Sequence, residues 1–161
     1  MADWITELRE TIRFRARRLR AKRATRAEVD VLARTIYGEA RGEPVRGMEA
    51  VAAVIMNRVR LAEAWDGYWW GRTVQEVCLK PWQFSCWNPG DPNRAKIQAA
   101  DRDDPAFAAC LRIACRALAG VLADPTHGAT HYHAKGLEPA WARTRPHCAE
   151  IGNHRFYNNV G

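Results

Sequence analysis

Residues 25–59 have the sequence TRAEVDVLARTIYGEARGEPVRGMEAVAAVIMNRV, and this stretch predicts how the fold begins. It opens on a capping box, Thr25-Arg26-Ala27-Glu28, in which each polar side chain accepts a hydrogen bond from a backbone N–H at a helix start. Apolar residues then recur at helical spacing from Val29 to Tyr37. The stretch therefore predicts an amphipathic helix that begins after Thr25.

A second helix is predicted over about Val45–Val59. Pro44 disfavours the helical conformation in the residue before it, so the two helices are separate. The apolar residues of the second segment share one helical face. These residues are Met48, Val51, Ala52, Ile55 and Val59.

The rest of the chain predicts shorter elements. A capping box at Thr73-Val74-Gln75-Glu76 opens a short helix, and Asp104-Pro105 begins a strong helix that runs to about Ala119. Residues 80–95 are rich in aromatic residues, Pro and Gly, which predicts a structured loop or small hairpin. Ala129–Ala134 is predicted to form a strand that pairs with Ile151–Tyr157. The fold class is thus a helix-dominated α+β domain with a small β element.

Charge divides the 161-residue chain into two parts. Residues 1–26 hold nine Lys and Arg and three acidic residues, so they carry +6 of the net charge of +7. Apolar residues at helical spacing predict a basic amphipathic arm over residues 1–24, suited to an anionic membrane surface, an acidic polymer or another protein; a solvated helix is the alternative. The folded domain is placed at 25–161. This body is nearly neutral and does not favour nucleic-acid binding.

Cysteine and hydropathy patterns restrict the protein class further. The five cysteines include no CxxC pair, and an odd number cannot all pair within one chain. Cys110 and Cys115 fall in a helical pattern and are interpreted as core residues. The longest stretch without a charged residue is ten residues, whereas a membrane-spanning helix needs about 20 apolar ones. The chain is therefore predicted to be soluble or at most bound to a surface.

Glu39 is the first candidate for chemistry. It lies between Gly38 and Gly42 at the end of an apolar helix, where small neighbours leave a carboxylate free to face a cleft. The negative end of a helix and apolar surroundings favour the protonated form of a carboxyl group, which a general acid needs. An ordinary surface glutamate is the alternative. No second acid stands out, because Pro44 separates Glu43 from the helix. Asp91 and Glu49 are the other candidates, and Glu49 suits a polar helix surface.

Two further clusters suggest chemistry or binding. His131 and His133 alternate on the predicted strand, and with Cys148 they could form a zinc site, although His-x-His alone is a weak signal. Aromatic residues with polar neighbours suit sugar rings, which have apolar faces and hydroxyl edges; about half of them are expected to be core. These aromatic residues are Tyr68, Trp69, Trp70, Trp82, Phe84, Trp87, Tyr132, Trp141, Phe156 and Tyr157.

Several sequence blocks, in order, resemble the SleB-type cell wall hydrolase family of spore-cortex-lytic enzymes and their bacterial and phage relatives. The resemblance extends over about residues 29–157 and excludes the basic arm. It rests on the blocks Leu32–Glu43, Met48–Val59, Gln83-Phe84-Ser85, Ala123–Thr126, Ala129–His133 and Ile151–Tyr157.

The resemblance implies a lysozyme-like domain that cleaves peptidoglycan glycan strands between N-acetylmuramic acid and N-acetylglucosamine, as a lytic transglycosylase or muramidase. The family's catalytic acid/base corresponds to Glu39, and the chemistry requires no metal or cofactor. The absence of a second obvious carboxylate agrees with transglycosylation. Six residues are predicted to line the substrate cleft: Gln83, Phe84, Ser85, Tyr132, Asn153 and His154.

The chain departs from the family in three respects. It shows no wall-binding repeat and no signal peptide, and residues 86–104 are unusually rich in Cys, Asn, Asp and Pro. These departures favour a phage or phage-derived lysis enzyme. Such an enzyme is expected to be made in the cytoplasm and to act at the cell wall or periplasm, either free or associated with the virion. Two alternatives remain: a zinc-dependent peptidoglycan hydrolase or amidase that uses His131, His133 and Cys148, and a non-catalytic wall-binding virion protein.

Overall fold

Helix α1 (Arg26–Ala40) is the element against which most other helices pack in the computed structural model, which describes residues 24–160. The predicted capping box is present: the Thr25 hydroxyl accepts from the Glu28 N–H, and the Glu28 carboxylate accepts from the Thr25 N–H. The buried face of α1 carries the apolar residues that the periodicity indicated, among them Leu32 and Ile36. A single amphipathic helix thus organises the core.

Four further helices and one 3₁₀ turn surround α1. They are α2 (Val45–Ala64), α3 (Val74–Leu79), the 3₁₀ turn Ser85–Trp87, α4 (Pro92–Ala99) and α5 (Pro105–Leu118). Helix α1 packs against all four helices, and α2 also packs against α3 and α5. The Tyr37 hydroxyl donates to the Asp104 carboxylate, 2.6 Å away, and so joins α1 to the start of α5.

A small antiparallel sheet covers one end of α2. It consists of β1 (His131–Ala134), β2 (Ala149–Ile151) and β3 (His154–Tyr157), in the order β1-β3-β2. Tyr132 is paired with Phe156, which packs in a small core cluster with Ala50 and Val54 of α2. The sheet therefore rests on α2, and the predicted pairing of the two chain segments is confirmed.

Three sequence predictions need correction. Residues 80–95 are a loop with a 3₁₀ turn up to position 91, but α4 begins at Pro92, with Asp91 as its N-cap. Helix α2 continues past Val59 to Ala64. Cys115 is exposed rather than a core residue, because it lies on the outer face of α5, whereas Cys110 is buried as expected.

The predicted basic arm lies outside the described residues, apart from Ala24. Among the residues that the structure does describe, no helix combines the length and the apolar character needed to cross a membrane.

Candidate active site

Glu39 lies in the last turn of α1 and is partly exposed. The Tyr132 hydroxyl, from strand β1, donates a hydrogen bond to Glu39 Oε2 over 2.9 Å. The Cys86 thiol also lies beside this carboxylate, within reach of a side-chain hydrogen bond. Gly38 is required beside it because a Cβ there would lie 2.6 Å from the Cβ of Cys86. The end of α1 therefore offers a partly exposed carboxylate that Tyr132 holds at Oε2.

Arg58 of α2 is a buried charge close to Glu39. Its side chain is only 6% exposed, and its Nε donates to the Thr130 carbonyl over 2.8 Å. The guanidinium carbon lies 5.4 Å from the centre of the Trp70 ring and 5.3 Å from that of Phe84. Burial lowers the pKa of Arg58, and the neighbouring Tyr132, Cys78 and Glu39 side chains act in the opposite direction. Arg58 Nη1 is buried without a hydrogen-bond partner among the described residues.

Glu43 follows Glu39 by four residues but has different surroundings. Its Oε2 accepts a hydrogen bond from the backbone N–H of Asn153, 2.9 Å away, in the turn between β2 and β3. Its Oε1 lies 3.9 Å from Nδ1 of His154. Gly152, with φ of +56°, is packed so closely that a Cβ there would overlap Glu43 Oε2. Glu43 thus connects the α1–α2 loop to the β2–β3 turn.

His154 and Tyr132 stand side by side between the two carboxylates. Their rings meet edge to face, with centres 5.2 Å apart. Burial lowers the pKa of His154 below its ordinary value, against the raising effect of Glu43 and Glu39, so its imidazole is neutral at pH 7. Burial, the charge of Glu39 and the hydrogen bond to Glu39 raise the pKa of Tyr132. Tyr132 is therefore a phenol that can donate its proton in a hydrogen bond to Glu39.

The six residues predicted to line the cleft are placed differently. Tyr132 and His154 do adjoin Glu39, while Asn153 contributes its backbone N–H to Glu43 and Ser85 is exposed at the start of the 3₁₀ turn. The Gln83 side chain donates inward to the Val77 carbonyl over 2.7 Å. Phe84 is 2% exposed and packs under Arg58, so it is a core residue and its prediction as cleft wall is wrong.

Two residues near Glu39 were missed from the sequence, Arg58 and Cys86. A signal for Arg58 existed, because Val51, Ile55, Arg58 and Ala62 follow one another at helical spacing on the buried face of α2. A charged residue within an apolar stripe is uncommon unless it has a defined role. Cys86 carried no comparable signal, since only the packing of the 3₁₀ turn against Gly38 brings it to Glu39.

The histidine cluster does not form the zinc site considered from the sequence. His131 and His133 do share one side of β1, where both rings contact Trp141, but His133 Nε2 lies 2.9 Å from the Tyr157 hydroxyl. Burial lowers the pKa of His131 to about 4, with added repulsion from two arginines. The thiol of Cys148 donates to a backbone carbonyl instead. In the described part of the chain, no three His, Cys, Asp or Glu side chains converge as metal ligands.

The remaining acids considered from the sequence have structural roles. Asp91 accepts from the Asn93 N–H, 2.8 Å away, and caps α4. Glu49 forms a 2.7 Å ion pair with Arg116 of α5, which confirms that Glu49 is a polar residue on the surface of α2. Neither is hydrogen-bonded to Glu39 or Tyr132.

Comparison with known proteins assigns this arrangement to a family. The family model described as Cell Wall Hydrolase matches residues 42–157. The chain belongs to this family. The match begins at Gly42, three residues after Glu39.

Two curated relatives are spore cortex-lytic enzymes. The enzyme of Halalkalibacterium halodurans is 33% identical over 132 residues, which are 81% of this chain and 34% of that protein. The enzyme of Bacillus cereus is 32% identical over 134 residues, which are 80% of this chain and 43% of that protein. The chain thus spans less than half the length of these relatives.

Two solved catalytic domains have the same fold. That of the Bacillus cereus SleB protein is 31% identical, with a TM-score of 0.63, over 84% of this chain and 93% of that one. That of the germination-specific lytic transglycosylase SleB from Bacillus anthracis is 29% identical, with a TM-score of 0.64, over 83% and 96%. The domain is therefore a SleB-type, lysozyme-like catalytic fold, as predicted.

Proposed function

We propose that this cell wall hydrolase is a peptidoglycan lytic transglycosylase that cleaves between N-acetylmuramic acid and N-acetylglucosamine, with Glu39 as its acid/base. One observation carries the proposal: at the end of α1, Glu39 is partly exposed and held by Tyr132 at one oxygen, while nearby Glu43 is engaged by the β2–β3 turn. The family and the solved SleB domains support the same reaction class.

The chemistry needs a single carboxyl group that changes its protonation state. Glu39 first donates a proton to the bridging glycosidic oxygen, and the bond from that oxygen to C1 of the muramic acid breaks. The resulting carboxylate then takes the proton of the C6 hydroxyl, whose oxygen attacks C1 and closes a 1,6-anhydro ring. Glycosidases that use water or a nucleophile instead need a second carboxyl group about 5–9.5 Å from the first. The engagement of Glu43 favours the single-carboxylate route.

The surroundings of Glu39 fit both steps. Tyr132 orients the carboxyl group through Oε2, and the partly exposed group can exchange a proton with the substrate. The buried guanidinium of Arg58 supplies positive charge near Glu39, where negative charge forms in the first step.

The test is mass spectrometry of the fragments that the wild type and Glu39→Gln release from purified peptidoglycan. We expect anhydro-muramic ends from the wild type and none from Glu39→Gln, which keeps the size of the side chain but cannot exchange a proton. If the wild type releases fragments with reducing ends instead, the reaction at this site is hydrolysis and not transglycosylation. If neither protein cleaves glycan, the proposal is wrong and the non-catalytic alternative gains support.

The cellular setting is a further part of the proposal. We propose action at the cell wall in phage-type lysis or wall penetration, with residues 1–24 contacting an anionic membrane or wall polymer. The support for this contact is the charge of +6 within residues 1–26.

A further inference from the structure

An open cavity of about 700 Å³ lies between the loop that precedes α3 and the helix itself. Aromatic and basic side chains share its lining. The Trp69 ring is 58% exposed there, and the ammonium group of Lys80 lies 5.9 Å from the ring centre. The lining residues are Tyr68, Trp69, Trp70, Gly71, Arg72, Gln75, Glu76, Leu79 and Lys80.

The charges in this cavity are not equally available. Arg72 is 3.6 Å from the Asp66 carboxylate and donates to the Asp66 carbonyl. Glu76 accepts from two backbone N–H groups at the start of α3, as the capping box requires. Lys80 has no acidic partner within residues 24–160. The cavity therefore presents one available cation next to an exposed indole ring.

The cavity shares a wall with the candidate active site. Trp70 lines it, and the ring centres of Trp69 and Trp70 are 5.4 Å apart. The Trp70 indole also lies under the guanidinium of Arg58 and donates to the Arg58 carbonyl over 2.9 Å. Arg58 is in turn close enough to Glu39 for their charges to interact. The buried side chains of Trp70 and Arg58 thus lie between this cavity and the candidate active site.

We propose that this cavity binds the peptidoglycan strand away from the bond that is cleaved. A sugar ring of the strand stacks its apolar face on Trp69, and the lactyl carboxylate of a muramic acid that carries no peptide pairs with Lys80. An indole offers a flat apolar surface that is suited to a sugar ring, and an ammonium group is a point charge that accepts a carboxylate. The choice of ligand rests on the function proposed above.

The test measures binding in a Glu39→Gln background, so that the ligand is not consumed. Two probes are used in titration calorimetry: glycan strands freed of their peptides, which carry lactyl carboxylates, and N-acetylglucosamine oligomers, which carry none. We expect Trp69→Ala to lower the affinity for both probes about tenfold, which is about 1.4 kcal/mol in binding free energy. We expect Lys80→Gln to lower the affinity only for the carboxylate-bearing strands, by about threefold, because a partly exposed charge pair contributes little.

Trp65→Ala is the matched control. Trp65 is 73% exposed at the end of α2 but does not line the cavity, so its removal should leave both affinities unchanged. Unchanged binding in Trp69→Ala would overturn the site. An equal loss for both probes in Lys80→Gln would overturn the pairing with a carboxylate.

Cleavage by the unsubstituted protein separates this proposal from the function on which it rests. If that protein releases anhydro fragments while Trp69→Ala binds normally, the cavity proposal alone is wrong. If it releases no glycan fragments while the binding pattern holds, the catalytic proposal alone is wrong.

Discussion

Glu39 and Glu43 are four residues apart, yet the two ends of this short segment have opposite properties. Glu39 belongs to the last turn of α1 and meets one side-chain hydroxyl, from Tyr132. Glu43 lies in the loop after α1, accepts a backbone N–H from the β2–β3 turn and packs against Gly152. The same residue type is thus open to a ligand in one place and part of the scaffold in the other. Burial and partners, rather than residue type, separate the two roles.

The largest expected effect is the difference between Glu39→Gln and Glu43→Gln in the rate of peptidoglycan cleavage. Loss of a general acid/base lowers kcat by about 10²–10⁴-fold. Glu43→Gln keeps an oxygen that can accept the Asn153 N–H, so most of the rate should remain, at a cost of about 1 kcal/mol in the free energy of unfolding. Both quantities come from initial rates and urea unfolding. Equal rate losses in the two variants would contradict the comparison.

A second, structural effect is expected from Gly152→Ala. The added Cβ meets the Glu43 carboxylate, and the φ of +56° is unfavourable for alanine, so we expect a loss of about 2–4 kcal/mol in the free energy of unfolding. Gly128→Ala is the control: its φ is +82°, but nothing lies within 4 Å of its Cβ position. Gly128→Ala should lose only the contribution from the unfavourable backbone conformation, about 1 kcal/mol in the free energy of unfolding. Similar losses in both would mean that the contact with Glu43 contributes nothing.

The smallest expected effect is that of Tyr132→Phe. Its ring contacts with His154 and Phe156 are retained, while the hydrogen bond to Glu39 is lost, so we expect kcat to fall about tenfold and KM to stay nearly constant.

Tyr157→Phe controls for the loss of a buried hydroxyl. It removes the bond to His133, on the other side of β1, and should cost similar stability, about 1 kcal/mol, without changing kcat. An unchanged kcat in Tyr132→Phe would mean that Tyr132 is only a packing residue.

Three Asp-Pro pairs illustrate how far the sequence could be interpreted. Asp104-Pro105 was predicted to begin a helix and does so, because a strong apolar stripe follows it in α5. Asp91-Pro92 begins α4 in the same way, although the sequence pattern predicts a loop or hairpin there. Since α4 buries only Ile97, it has almost no apolar periodicity. Asp124-Pro125 begins no helix; Asp124 instead accepts from Thr126, Gly128 and Asn57 and fixes the approach to β1.

The sequence by itself determined the parts of this protein that local patterns encode. Capping boxes and apolar periodicity are properties of consecutive residues, so they fixed α1, most of α2 and the position of Glu39 at a helix end. Tertiary structure alone decided what faces Glu39. Tyr132 is 93 residues away along the chain, and Asn153 lies 110 residues from Glu43. Only the packing of the sheet on α2 brings these partners together, because no local pattern specifies which distant side chain fills a neighbouring space.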